Sequence, residues 1–279
     1  MISHRKLQPV LDQLYESYLA DFRRSPEEFF KGRMDPLVFA HRYTRFHDIE
    51  AAAFLASTFA YGNVRSLCGF IEKLLNLLQP SPYDFLRQGP DALETLTRHA
   101  PYYRLHKTDE ILSFLSMLAR IYQSHGSLYN VFMSSYDDNH TMADSISLFV
   151  ARLYEIHGAP IPFLLPSPES GSPCKRLNLF FRWMVRKDGL DMGIWKDVSP
   201  ADLIIPLDTH IGRIAFHLGW IKTPSLSWKK AEQVTKILRR YNPEDPIRYD
   251  FSLCHESMAR TEWLQALAVP GNQKRRIRN

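Results

Sequence analysis

The chain lacks any run of about 20 apolar residues, so no segment of it reads as a membrane span. A secretory signal is not expected either. The opening stretch "MISHRKLQPVLDQLYESYLADF" is basic, but it breaks into a mixed polar helical pattern without an apolar core or a small-residue cleavage site. A soluble, cytoplasmic protein is the expectation. Cysteine is scarce: Cys68, Cys174 and Cys254 are odd in number and far apart. That excludes a disulfide scaffold and any four-cysteine zinc or iron–sulfur site supplied by this chain. Alternating strand patterns, Asn-Gly hairpins and internal repeats are missing as well.

What is present is ordinary for a globular protein: 45% hydrophobic and 23% charged residues. Lysine and arginine number 35 against 30 acids, a surplus of +5 that leans modestly toward anionic partners. The apolar residues follow the helical period. In "DIEAAAFLASTFAYG", Asp48 is the expected N-cap and Gly62 the stop. Asn63 starts the next helix, with Val64, Leu67, Phe70, Ile71, Leu74, Leu75 and Leu78 inward before Pro80. Thr108 followed by two acids opens a helix that stops at Gly126. Thr141 caps another, ended by Gly158 and Pro160. The chain is expected to be all-α.

The main break is "GAPIPFLLPSPESGSP", residues 158–173, whose five prolines and two glycines continue neither flanking helix. Its apolar centre suits an ordered connection rather than a free linker. This predicts an N-terminal helical bundle over 1–157 and a second helical part over 174–265. A basic tail, 270–279, reads as a mobile terminus within reach of phosphates.

After that break, "SGSPCKRLNLFFRWMVR" opens a basic, aromatic helix. Ser172 is the expected N-cap and Pro173 fits the first helical position. Lys175 then lies in the first turn, beside unsatisfied amides whose partial positive charge disfavours an ammonium. Burial against Leu177, Phe180 or Phe181 adds to that. A neutral amine is what nucleophilic attack on carbon requires. The plainer reading is an exposed lysine whose long stem carries its charge into water.

Further on, "PLDTHIGRIAFHLG" places Asp208 at a second helix start, with Ile211, Ile214, Ala215 and Leu218 on one face and Gly219 at the end. Its plainer role is a cap. Arg213, on the polar face, suits a phosphate or simply water. His210 and His217 lie nearly two turns apart with no third ligand beside them, so no metal site is expected.

Together, "GSPCKRLNLFF…PLDTHIGRIAFHLG" resembles the helix-hairpin-helix superfamily of DNA glycosylases, in which a Gly-x-Gly-x-Lys hairpin opens one helix and an Asp-Thr-His segment the next. The hairpin here has one glycine, Gly171, where the motif has two. The long gap from Lys175 to Asp208, filled by "KDGLDMGIWKDVSPADL", is similar to the archaeal 8-oxoguanine glycosylase branch, which also has no iron–sulfur cluster. Over nearly its whole length the chain resembles a bacterial family known only as a domain of unknown function, remotely linked to those enzymes. "DIEAAAFLASTFAYGNV", "KRLNLFFRWMVR" and "DPIRYDFSLCHESM" carry that likeness.

The resemblance implies two helical subdomains with an interdomain cleft, and a monomer that acts without cofactor on double-stranded DNA holding a damaged base, at the nucleoid if the source is bacterial. It implies Lys175 as Schiff-base nucleophile and Asp208 as catalytic carboxylate, giving combined glycosylase and abasic-site lyase activity with 8-oxoguanine the first lesion to test. Gly171, Ser172 and Cys174 would hold a phosphate through backbone amides, helped by the charges of Arg176, Arg182, Arg186 and Arg213. Tyr61 or Asn63 would fill the place of the usual glutamine wedge, and Phe181, Trp183, Trp195 and Trp220 would stack on the flipped base. Two other readings are a non-catalytic nucleic-acid-binding protein of the same fold and a helical metal-dependent hydrolase using His210 and His217.

Overall fold

A computed structural model of the chain describes residues 4–97, 101–137 and 140–259. The basic tail and the last residues of the predicted second part lie outside them. The described residues are helical: α1 (His4–Arg24), α2 (Pro26–Gly32), α3 (Phe46–Thr58), α4 (Val64–Leu77), α5 (Pro82–Arg87), α6 (Thr108–Ser124), α7 (Leu128–Met133), α8 (Met142–His157), α9 (Lys175–Val185), α10 (Thr209–His217), α11 (Trp228–Leu238) and α12 (Asp250–Ala259). Among them there is no strand, only one isolated bridge between Tyr103 and His106. The all-α expectation holds.

These helices form two compact units whose boundaries differ from the sequence reading. The first takes residues up to Arg33, then Ser170–Asp191, then Lys196 onward; the second takes Met34–Glu169 and Met192–Trp195. The N-terminal helices α1 and α2 therefore belong with the C-terminal ones. Long-range bonds that no local pattern announces tie them there: Tyr249 donates to Asp12 at 2.6 Å, and Tyr18 to Glu256 at 3.0 Å.

In the second unit α3 is buried on all sides, its Ala51–Ala56 run excluded from water. A helix apolar all round is a core helix, and α4, α5 and the 3₁₀ turn Pro36–Arg42 pack on it. Asp48 is not its cap. Arg45 flanks the helix start, and buried Asp48 accepts hydrogen bonds from Ser81 Oγ and Tyr83 N, serving the neighbouring α5 instead. Thr108 opens α6 as expected, and Glu110 accepts the Lys107 amide. Around α8 the local signals hold: Thr141 and Asp144 cap each other's backbone amides, and Gly158 ends the helix at φ 90°. Asn63 also caps α4 as expected. In the proline-rich stretch Leu164 and Leu165 are buried.

A fully buried carboxylate organises this unit. Glu50 accepts from Leu128 N at 2.8 Å, Tyr129 N at 2.9 Å and Trp195 Nε1 at 3.1 Å. It thereby caps α7 and fixes the Met192–Trp195 excursion. Burial pushes its carboxyl up to about 7 against the pull of those donors.

In the first unit α12 packs on α1 and α10. Behind them lies a buried charge network. Arg182 bonds Asp191 and Asp250, while Arg186 bonds Asp188, Asp191 and Asp245. Both guanidiniums are 2% exposed. Multiple fixed partners are what keeps a buried guanidinium tolerable.

Candidate functional site

Lys175 lies in the first turn of α9, as expected, but as its first helical residue, because the chain reaches it differently. Ser172 does not cap the helix. Cys174 takes the flanking position in the left-handed region (φ 46°, ψ 37°), where its side chain makes no cap bond to α9. Ser172 Oγ instead accepts the Cys174 amide at 3.2 Å, and the helix starts two residues later than a Ser172 cap would place it. Pro173 stays outside the helix, where its carbonyl accepts from Asn178 Nδ2. Cys174 is buried, which lifts its thiol to about 12 and leaves it a packing residue. Gly171 sits at φ 76°, and its carbonyl accepts from Trp228 N at the start of α11. The lysine is half-buried.

Asp208 is the N-cap of α10. Its Oδ1 accepts from the amides of His210 and Ile211, each at 2.9 Å. Oδ2 takes no part in the cap and faces Cys254 Sγ at 3.9 Å. The plainer reading of this residue is thus fully realised by one oxygen, and the other is left for different work.

Two neighbours respond to both Lys175 and Asp208. Asp250, at the start of α12, is buried and accepts from Arg182 Nη1. Burial raises its carboxyl; Arg182 pulls it down, Asp208 pushes it up and Lys175 lowers it. His210 is pushed below its ordinary range by burial, with Asp208 opposing and Arg213, Lys175 and His255 adding to the shift. The lysine and aspartate singled out by the sequence therefore lie within electrostatic reach of the same acid and the same imidazole. His210 Nδ1 is buried and has no hydrogen-bond partner among the described residues.

Other expected contacts fall elsewhere. Arg182 and Arg186 are not phosphate-facing charges: each is committed to buried carboxylates. Phe181, Trp183 and Trp220 are core residues of the first unit, so their ring faces are covered by protein rather than open to a base. Trp195 is buried in the second unit on Glu50. Arg176 and Arg213 are half-buried, and Gly171 is exposed. Tyr61 and Asn63 belong to the second unit. Asn63 Oδ1 is spent on the amides of Arg65 and Ser66, while the half-buried Tyr61 ring carries the Arg104 guanidinium at 5.9 Å. Among the described residues no group of three or more His, Cys, Asp or Glu side chains is placed to hold a metal ion.

Asp250 and Cys254 were missed as members of this neighbourhood. Their segment was legible only as part of a family likeness. An acid in a helix's first turn reads locally as dipole complementarity, with no signal that it abuts another helix start. No curated protein and no solved structure matches the chain. The family described as Protein of unknown function (DUF2400) matches residues 35–259, which hold both helix starts and all their described neighbours, and the chain belongs to that family.

Proposed function

We propose that the protein is a DNA repair glycosylase with abasic-site lyase activity, built on a helix-hairpin-helix glycosylase plan. The observation that carries this reading is the placement of Lys175 and Asp208 at two helix starts of one unit, acting on the same pair of neighbours, Asp250 and His210. In its neutral form the Lys175 amine attacks C1′ of a damaged nucleotide turned out of the duplex, and the base departs with the glycosidic electron pair. Asp208 Oδ2, not needed for the cap, stabilises the positive charge developing on the sugar. Ring opening and loss of the amine proton give a protonated imine. Removal of a C2′ proton then expels the 3′ phosphate by β-elimination, and hydrolysis frees the lysine. The chemistry needs no cofactor. On this reading the protein acts in the cytoplasm as a monomer on duplex DNA.

Borohydride reduction traps such an imine. Duplexes carrying 8-oxoguanine, uracil or an abasic site are expected to give a covalent adduct with the wild type and none with Lys175→Ala. Absence of both adduct and base release from all three duplexes overturns the enzyme and leaves, where binding persists, a nucleic-acid-binding protein.

A further inference from the structure

In the second unit, residues 101–107 read "PYYRLHK" and form a tight turn. Tyr103 and His106 exchange both backbone hydrogen bonds, at 3.0 and 2.9 Å, leaving Arg104 and Leu105 at the tip. The base of the turn is anchored. Tyr103 is buried, stacks on Phe70 at 4.6 Å and donates its hydroxyl to the Tyr61 carbonyl. His106 is buried against Phe59 and Phe163. Arg104 adopts φ 53° and packs its guanidinium so closely on Gly62 that a β-carbon there would overlap it.

The alternation that buries Tyr103 and His106 drives Tyr102 and Leu105 outward, to 78% and 75% exposure. Phe163, 48% exposed, lies edge-on to Tyr61 beside them. An aromatic and a leucine held in water on an anchored turn have no packing role among the described residues. Their charge setting is basic: from Thr95 to Thr108 the sequence has no acid, and Arg104 and Lys107 are exposed on the turn. The acids that follow, Asp109 and Glu110, sit in the first turn of α6, where Glu110 is held by the Lys107 amide and lies 3.5 Å from His106 Nδ1.

We infer that this turn is a stacking platform for unpaired nucleobases, with Tyr102 and Leu105 meeting the bases and Arg104 and Lys107 the adjoining phosphates. The ring supplies a flat face that any base accepts, and the cations supply the sequence-independent attraction. The inference rests on the nucleic-acid partner of the proposed function but not on its lysine chemistry. It adds a contact for single-stranded or gapped strands in a part of the chain distant in sequence from Lys175.

The test is fluorescence anisotropy of the full-length protein with a single-stranded oligonucleotide and with an intact duplex of equal length. Tyr102→Ala is expected to weaken single-strand binding about tenfold while leaving duplex binding within twofold; Tyr102→Phe keeps wild-type affinity. Arg104→Ala weakens both and flattens the salt dependence. Far-ultraviolet circular dichroism checks that each variant folds. Unchanged single-strand affinity in Tyr102→Ala, equal loss on both ligands, or Tyr102-dependent binding to anionic vesicles in place of oligonucleotide overturns the inference. Borohydride trapping on the same proteins separates the two ideas: trapping with a silent Tyr102 sinks the platform alone, and Tyr102-dependent binding without trapping sinks the lyase alone.

Discussion

The sulfur of Cys254 lies 3.9 Å from Oδ2 of Asp208, the carboxylate oxygen that does not cap α10. A weak thiol donor is a light claim on a carboxylate oxygen. The two oxygens of Asp208 therefore divide their work, one held by two amides and one set beside a soft, displaceable partner.

That division makes the roles separable. Asparagine caps a helix about as well as aspartate, whereas alanine costs roughly 0.5–2 kcal/mol. Asp208→Asn is expected to stay within about 0.5 kcal/mol of wild type in urea denaturation, and Asp208→Ala to lose about 1 kcal/mol. If the carboxylate charge also stabilises the transition state, the rate of adduct formation in Asp208→Asn falls about a hundredfold. An Asn variant with full activity would show that the residue is only a cap.

Asp191 is shared by Arg182 and Arg186, and all three side chains are buried. Asp191→Ala leaves two guanidiniums short of a partner and is expected to destabilise the protein by about 3–5 kcal/mol. Chemical denaturation measures the loss. A change below about 1 kcal/mol would mean that the remaining carboxylates, Asp188, Asp245 and Asp250, compensate fully.

Glu50 provides a pH signature. Its folded carboxyl is raised from 4.5 to about 7, so the folded state binds the proton more tightly than the unfolded chain. Its stabilising share is complete below the unfolded value, drains away as pH rises toward about 7, and is level above. The full effect is on the order of 3 kcal/mol. Thermal unfolding at a series of pH values should show wild type losing stability relative to Glu50→Gln across this window. Parallel curves for the two proteins would refute the assignment.

Gly62 has φ 84°, and a β-carbon there would overlap the Arg104 guanidinium. Gly62→Ala is expected to cost about 1–3 kcal/mol, from left-handed strain and from the displaced arginine together. Adding Arg104→Ala should recover the second share only. A double-mutant cycle with no coupling would show that the guanidinium moves aside freely.

The sequence was most legible where structure is local. Thr141, Asp144 and Gly158 bound α8 as their types predict, and Asp208 and Asn63 cap as expected, because these bonds span two or three residues. It misled where a distant partner took over. Asp48 looked like a cap for its own helix but serves Ser81 and Tyr83. Arg182 looked like a surface charge because Asp250, its partner, lies 68 residues away. Ser172 failed as a cap through one left-handed residue, Cys174, whose type gives no hint of that conformation. The aromatic tip was passed over because alternation across a short turn carries no helical period.

The brief detour of Met192–Trp195 into the second unit constrains the order in which the protein is born. Residues 34–169 are all synthesised before Trp195, so Glu50 waits with one hydrogen-bond donor missing. The early helices α1 and α2 wait longer still, for partners encoded near the far end of the described chain. Neither half can be finished by itself, and a nascent chain halted before Trp195 carries an uncompleted interior that chaperones would recognise.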